Sequence, residues 1–239
     1  MLADSFSSNN SFGAVGRSVH LEATSLHELL NFIADELPKW RDRVDRSKKN
    51  AEVGLTSDLC AHLNGAARRS KGWDILQFRT EVPDEERSGR AIDMAPSPCN
   101  ATIIVDGRKF TEFDMLMPIE CKRLPTPKNK GREASEYVIT EKATRGGIQR
   151  FKLGLHGSKH KLGGMIAYVQ EGTAAAWYGA VTGWINAQIS ARSPGWSHAD
   201  HLTPVAHDQG NGLTIYQSTH PRSQPLSDIE LQHLWLQMR

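Results

Sequence analysis

The sequence predicts a mixed α/β fold in which helices flank a central β-sheet. Two hydrophobic periodicities indicate this fold. Apolar residues recur at helical spacing in 26–40 and again in 55–63, whereas they alternate with polar residues in 74–82, as in a half-buried strand. Between two short apolar runs lies Asp106-Gly107, a strong signal for a β-hairpin.

Two helices are predicted in the first third of the chain. The first should begin at Ser25-Leu26-His27-Glu28, which has the Ser-x-x-Glu form of a capping box, and Pro38 should end or kink it. The second should run from about Lys49 to Arg69. Glu52 falls on its apolar stripe of Leu55, Leu59 and Leu63, which should face the sheet.

The remaining elements follow from the same patterns. We predict strands at 74–82, 90–95, 102–105, 108–113 and 115–124, a short helix with Ile148, Phe151 and Leu155 on one face, a strand at 163–169, a helix at 174–192 capped by Thr173, and strands at 213–218 and 229–236. Pro118 suggests an edge position or a bulge for its strand. Residues 193–211 are predicted to form a loop.

Length and composition predict one domain at 20–239 after a flexible tail at 1–19, which is rich in Ser, Asn and Gly. No apolar run approaches the ~18–20 residues of a membrane span, and no signal peptide is evident, so we expect a cytoplasmic protein without membrane contact. The three cysteines are far apart and form no Cys-x-x-Cys, which fits a reducing compartment. Walker A, Gly-x-Gly-x-x-Gly and Gly-x-Ser-x-Gly motifs are absent.

The most informative charges lie on the apolar strand 115–124. Side chains alternate on a strand, so Glu120 and Lys122 share one face and Cys121 points to the other. Asp93, on a neighbouring predicted strand, can add a second carboxylate. Two carboxylates and a backbone carbonyl suit Mg²⁺, and a lysine beside the metal can activate a water for attack on phosphorus. The alternative is a surface ion pair on an edge strand.

Asp93 followed by Glu120-Cys121-Lys122, after a helix bearing Glu52, resembles the signature of the PD-(D/E)xK nuclease superfamily. Gly147-Ile148-Gln149-Arg150-Phe151 and Gly164-Met165-Ile166-Ala167-Tyr168-Val169 are similar to segments of uncharacterised bacterial members associated with restriction and phage defence. The resemblance covers about residues 50–170, with a weaker likeness at 218–222.

This resemblance implies a restriction-endonuclease-like core and a nuclease that uses Mg²⁺, or Mn²⁺ in its place. Asp93, Glu120 and Glu52, with the carbonyl of Cys121, would hold the metal, and Lys122 would activate the water. The implied substrate is nucleic acid, with DNA favoured and RNA left open. A partner subunit that supplies targeting or activation, and a homo-oligomer, are compatible with it. A catalytically silent nucleic-acid-binding subunit is the alternative function.

Two ligand assignments stay open. The gap from Asp93 to Glu120 is long for the family and no proline precedes Asp93, so Asp114, six residues before Glu120, competes as the ligand. The hairpin at Asp106-Gly107 would fill the gap. Glu52, near a helix N-terminus, could instead be a solvated residue that favours the helix dipole.

Substrate contacts are expected from Gln149, Arg150 and Arg123, although a solvated helix face is the alternative for Gln149. Between 122 and 161 the sequence has eleven Lys and Arg against three Glu, a net charge of +8 in a chain of net charge +2, which suits a polyanion. His220 and Arg222 are weaker candidates for substrate contact. The histidines at 156, 160, 198, 201 and 207 are predicted to be solvated loop residues.

Overall fold

The computed structural model describes residues 17–21, 24–48, 50–86, 89–128, 131–142 and 146–238. Its helices are α1 (Thr24–Arg41), α2 (Glu52–Arg69), α3 (Gly147–Lys152) and α4 (Ala174–Ser190). Its strands are β1 (Arg17–Leu21), β2 (Leu76–Pro83), β3 (Ala91–Pro98), β4 (Ala101–Val105), β5 (Arg108–Phe110), β6 (Ile119–Leu124), β7 (Leu162–Val169), β8 (Thr203–Asp208), β9 (Leu213–His220) and β10 (Ile229–Gln237).

The strands form two sheets, and the predicted mixed α/β class is confirmed. The larger sheet has seven strands in the order β2-β3-β6-β7-β10-β9-β8. β7 runs parallel to both β6 and β10, whereas the other neighbours are antiparallel, so the sheet is mixed. The smaller sheet, β1-β4-β5, contains the predicted hairpin, whose turn residues Asp106 and Gly107 have φ values of 50° and 77°. The hairpin therefore lies outside the central sheet.

Alternate residues of β7 divide the core between the two faces of the large sheet. Ile166 and Tyr168 pack into one cluster with α1, α2 and the small sheet. Met165, Ala167 and Val169 pack into the other cluster with α3 and α4. All eight residues of β7 are buried, as expected for a central strand that is covered on both faces.

The two early helices are confirmed, with changes at their ends. α1 begins at Thr24, so Ser25 lies inside the helix and the prediction of a capping box there is wrong. Pro38 is within the helix, which continues to Arg41. α2 begins at Glu52, and this residue is therefore in the first helical turn. Of the expected tail 1–19, residues 1–16 lie outside the described residues, and 17–19 belong to β1.

Three strand predictions need correction. β6 lies between β3 and β7 in the interior of the sheet and not at an edge. Pro118 precedes the strand, so its missing N–H removes no hydrogen bond from the ladder. β3 continues through the Pro-Ser-Pro at 96–98, which lies beyond its one residue pair with β6. The predicted loop 193–211 contains β8, whose six residues are all exposed and show no hydrophobic period. No helix in the described ranges combines the length and hydropathy that crossing a membrane requires.

Candidate active site

The candidate site lies where β3 separates from β6. These strands pair at Met94 and Ile119 only, so the N–H groups farther along β6 have no backbone partner on β3 among the described residues. Two carboxylates accept them instead. The N–H of Cys121 donates to Oδ2 of Asp93 at 2.8 Å, and the N–H of Arg123 donates to Oε2 of Glu52 at 3.0 Å. Asp93 and Glu52 therefore both lie at the open edge of β6, in what we call the fork.

The side chains of Glu120 and Lys122 lie on the same face of β6, as the alternation of side chains predicted. Nζ of Lys122 lies 2.6 Å from Oε1 of Glu120 and 4.0 Å from Oε1 of Glu52. Both residues are buried, with exposed fractions of 0% for Glu120 and 5% for Lys122. Their burial excludes the alternative of a surface ion pair. Removing two charges from water is costly, so a buried pair requires additional partners.

α3 and the turn after it supply those partners. A guanidinium nitrogen of Arg150 is ion-paired with Oε1 of Glu120. Nη1 of Arg150 also lies 3.1 Å from Nε2 of His156, whose Nδ1 is 3.2 Å from Oε2 of Glu120. Because arginine only donates, Nε2 of His156 is the acceptor, and the ring carries its proton on Nδ1, toward Glu120.

Burial, reinforced by the Arg150 charge, lowers the pKa of His156 to about 3, so this ring is neutral at physiological pH. Burial likewise lowers the pKa of the Arg150 guanidinium, while the charges of Asp93 and Glu52 act in the opposite direction. The charge of Arg90 also lowers it. Arg90, the residue before β3, has a buried Nη1 without a hydrogen-bond partner in the described part of the chain.

A second arginine approaches the fork from the loop after β6. Arg132 forms a two-point ion pair with Glu136, with contacts of 2.8 and 2.6 Å, and its Nη2 lies 3.4 Å from Oε1 of Glu52. The hydrogen bonds to Glu136 and the negative charges of Glu52 and Glu136 raise the pKa of Arg132, so it stays a cation. Glu52 is thus an ordered residue of the fork and is only about 18% exposed.

A small cavity opens beside the two edge carboxylates. It has a volume of about 130 Å³, and its lining includes Glu52, Thr56, Thr80, Glu81 and Asp93. Glu81, opposite Asp93 on β2, has a φ of 51°, in the left-handed region that non-glycine residues seldom adopt. Strained backbone of this kind concentrates at functional sites, which fits the position of this cavity.

The donor set fits a hard divalent cation in kind. Asp93 uses only one oxygen toward Cys121. The buried Oε2 of Glu120 has Nδ1 of His156 at 3.2 Å but no aligned hydrogen bond among the described residues. On a strand, the C=O of a residue points to the same side as its N–H, so the Cys121 carbonyl faces the fork. Its thiol, whose pKa is raised by burial, packs into the core on the α1–α2 face. Within the described ranges, no group of three or more His, Cys, Asp or Glu side chains is already gathered as ligands.

The predicted substrate residues divide. Arg150 joins the fork, whereas Nε of Arg123 donates to Gln170 at 2.6 Å and Oε1 of Gln149 accepts from the N–H of Thr140 at 3.1 Å. Asp114 accepts from the N–H and the hydroxyl of Thr111, at 2.7 Å each, and closes a turn before β6. Asp93, not Asp114, is therefore the aspartate at the fork.

The predicted solvated state is wrong for two histidines. His156 is 1% exposed and His160 is 5% exposed. His220 and Arg222 are also buried: His220 contacts Asp200 at 2.6 Å, and Arg222 donates to the carbonyls of Gly157 and His160. These two candidates for substrate contact therefore serve the fold.

Sequence reasoning missed His156 and Arg132, because their contacts with Glu120 and Glu52 join residues distant in the chain, and it missed Arg90, which no motif singles out. A histidine six residues after an arginine matches no recognised motif.

Comparisons of the chain with protein-family models, with curated proteins and with solved structures found no match.

Proposed function

We propose that this protein is a metal-dependent nuclease with a restriction-endonuclease-like core, which hydrolyses phosphodiester bonds in nucleic acid, DNA in the first place. The observation that carries the proposal is the placement of three carboxylates and a lysine at β6 where β3 leaves it. Lys122 contacts Glu120 and Glu52, and Asp93 and Glu52 accept from N–H groups on the open edge of β6. An effector role in bacterial restriction or phage defence, in the cytoplasm, is part of the same proposal.

Asp93 and Glu120, with Glu52 and the Cys121 carbonyl, would hold Mg²⁺ or Mn²⁺. Such a metal would supply a water of lowered pKa and polarise the phosphate. Oε2 of Glu120, which Nδ1 of His156 approaches at 3.2 Å, and the second oxygen of Asp93 are the atoms that would meet it.

Lys122 is placed to act on the reacting groups. Its ammonium already lies between two of the carboxylates, at 2.6 Å from Glu120 and 4.0 Å from Glu52. It can orient the attacking water and stabilise negative charge that develops on phosphorus. Arg150 and Arg90 would contact phosphate oxygens, since Nε of Arg150 and Nη1 of Arg90 are buried without partners in the described ranges.

One observation favours a second function, that of a catalytically silent nucleic-acid-binding subunit. Oε1 of Glu120 is already neutralised by both Lys122 and Arg150. If these cations stay in place permanently, the carboxylate does not require a metal. The two functions differ in whether a divalent ion binds at the fork.

Thermal unfolding in the presence of MgCl₂ and MnCl₂ separates them. The nuclease proposal expects a metal-dependent rise in Tm for the wild type that is lost in Asp93→Asn, since the amide can still accept from Cys121 but carries no charge. Asp114→Asn is the matched control and should behave as wild type. Cleavage should stop in EDTA. Equal metal responses in wild type and Asp93→Asn, or undiminished cleavage in EDTA, would refute the proposal.

A further inference from the structure

A second cavity lies in the helical layer, between the end of α1, the loop that follows it and α2. Its volume is about 310 Å³, at the lower end of the range for small-molecule sites. Trp40 and Arg46 line one part of it, and Asp58 and His62 on α2 line another. None of these residues belongs to the fork.

Four buried polar atoms on these side chains have no hydrogen-bond partner among the described residues: Nε1 of Trp40, Nη1 of Arg46, Oδ2 of Asp58 and Nδ1 of His62. Trp40 is 1% exposed and the His62 side chain 7% exposed, so water reaches neither freely. Buried polar groups in folded proteins are nearly always paired. Four unpaired polar atoms at one cavity indicate that a bound ligand forms the missing hydrogen bonds.

The four atoms divide into two donors and two acceptors. Trp40 Nε1 and Arg46 Nη1 can only donate, and Asp58 Oδ2 accepts. Nε2 of His62 lies 2.8 Å from Oε2 of Glu36. A carboxylate accepts and does not donate, so Nε2 carries a proton, and Nδ1 is the second acceptor when the ring carries that proton alone.

The charges at the cavity balance. Arg43 and Asp45, exposed residues of the lining, are paired with each other, with one contact at 2.5 Å. Inside, the cation of Arg46 is matched by the carboxylate of Asp58. A metal ion or a free phosphate would upset this balance, whereas a neutral ligand with a donor and an acceptor side by side would keep it. The Arg46 guanidinium lies 5.3 Å from the centroid of the Trp40 ring and covers that face, which leaves the N–H edge for the ligand.

We propose that this cavity binds a nucleobase with adjacent C=O and N–H groups, and guanine above all. Its O6 and N7 accept, which suits Arg46 and Trp40. Its ring N–H and 2-amino group donate, which suits Asp58 and His62. Adenine presents an amino group where guanine has O6, so it would place a donor against Arg46.

Calorimetric titration with guanosine tests this proposal. Guanosine should bind to the wild type, inosine, which lacks the 2-amino group, should bind more weakly, and adenosine should not bind. Asp58→Asn should weaken guanosine binding by about tenfold or more, since a charged acceptor is lost. His62→Gln provides a second variant if Asp58→Asn fails to fold, and Asp35→Asn, at an exposed position of α1, is the matched control.

The outcome is independent of nuclease activity, because Lys122→Ala should bind guanosine as the wild type does. Lack of guanosine binding by the wild type at millimolar concentration would overturn the proposal. Equal affinity of wild type, Asp58→Asn and His62→Gln would do the same. Binding of glycine, a zwitterion with a similar pairing of donor and acceptor, without binding of guanosine would reject the nucleobase.

Discussion

The buried charges at the fork depend on one another. Glu120 is fully buried and meets Lys122, Arg150 and the ring of His156. Such a group is tolerated only where opposite charges and hydrogen bonds replace water. Glu120 contacts both Lys122 and Arg150. Removal of the lysine therefore leaves the Glu120 carboxylate paired with Arg150.

Lys122→Ala should therefore abolish cleavage and leave the fold in place. General acid–base contributions are typically worth ~10²–10⁴ in rate, and no neighbouring lysine reaches this position among the described residues. Lys122→Arg should fail almost as badly, because a guanidinium remains protonated and occupies different space. Turnover at saturating substrate is the measurement.

Lys122→Met, which keeps the apolar stem, and the exposed Lys161→Ala are the controls. Lys122→Met should be inactive but stable, and Lys161→Ala should be active. If Lys122→Ala only weakens binding and leaves turnover unchanged, the lysine is a phosphate contact. If both variants at 122 unfold the protein, its role is structural.

At the scale of elements, two kinds of polar contact connect parts of the structure: a helix cap and a series of buried hydrogen bonds. The hydroxyl of Thr173 accepts from the N–H of Ala176 at 3.2 Å and caps α4, as the sequence predicted. A second connection is a hydrogen-bond chain, with contacts of 2.5–2.8 Å, through Lys152, Asp200, His220, Ser218, His233, Tyr137 and Trp235.

Thr173→Ala should destabilise the protein by about 1 kcal/mol, because one N–H at the start of α4 loses its acceptor. For a chain of this length we expect a fall in Tm of roughly 2–4 °C. Thr173→Ser keeps the hydroxyl and should be close to the wild type. An unchanged Tm in Thr173→Ala would show that this cap contributes nothing.

The buried chain should make stability depend on pH. Burial lowers the pKa of His220 below 6.5, and burial together with His220 lowers that of His233 further. The unfolded chain takes up these protons near pH 6.5 and the folded chain does not, so stability is present above pH 6.5 and falls as the pH decreases. Each histidine should change the unfolding equilibrium constant by up to about tenfold per pH unit.

Urea denaturation between about pH 7.5 and pH 5 measures this dependence. His233→Gln should show a shallower loss of stability in acid than His207→Gln, which alters an exposed histidine. The same slope in both variants would mean that His233 does not titrate on unfolding.

For the whole molecule, the structure changes the meaning of the basic segment 122–161. Several of its cations are used internally: Lys122 and Arg150 pair with Glu120, Arg132 with Glu136, and Lys152 with Asp200. Its exposed cations, among the described residues, are Lys128, Lys142, Lys159 and Lys161. The net charge of the segment therefore overstates the charge that it presents to a polyanion.

Replacing these four lysines by glutamine should reduce the salt dependence of DNA binding. Each phosphate contact contributes about 0.9 to the slope of log affinity against log salt concentration. The slope should become less steep by about 3–4 at most, as measured by fluorescence anisotropy with a labelled duplex. An unchanged slope would show that nucleic acid does not approach this surface.

The sequence by itself determined the α/β class, the strand at 163–169, the hairpin at Asp106-Gly107 and the common face of Glu120 and Lys122. These properties depend on local periodicity and turn chemistry, which a short segment carries. The fork depended on tertiary structure. The separation of β3 from β6, the choice of Asp93 over Asp114 and the arrival of Arg150, His156 and Arg132 all depend on residues far apart in the chain. No local pattern encodes which buried charges will meet, because pairing is decided by how the layers pack.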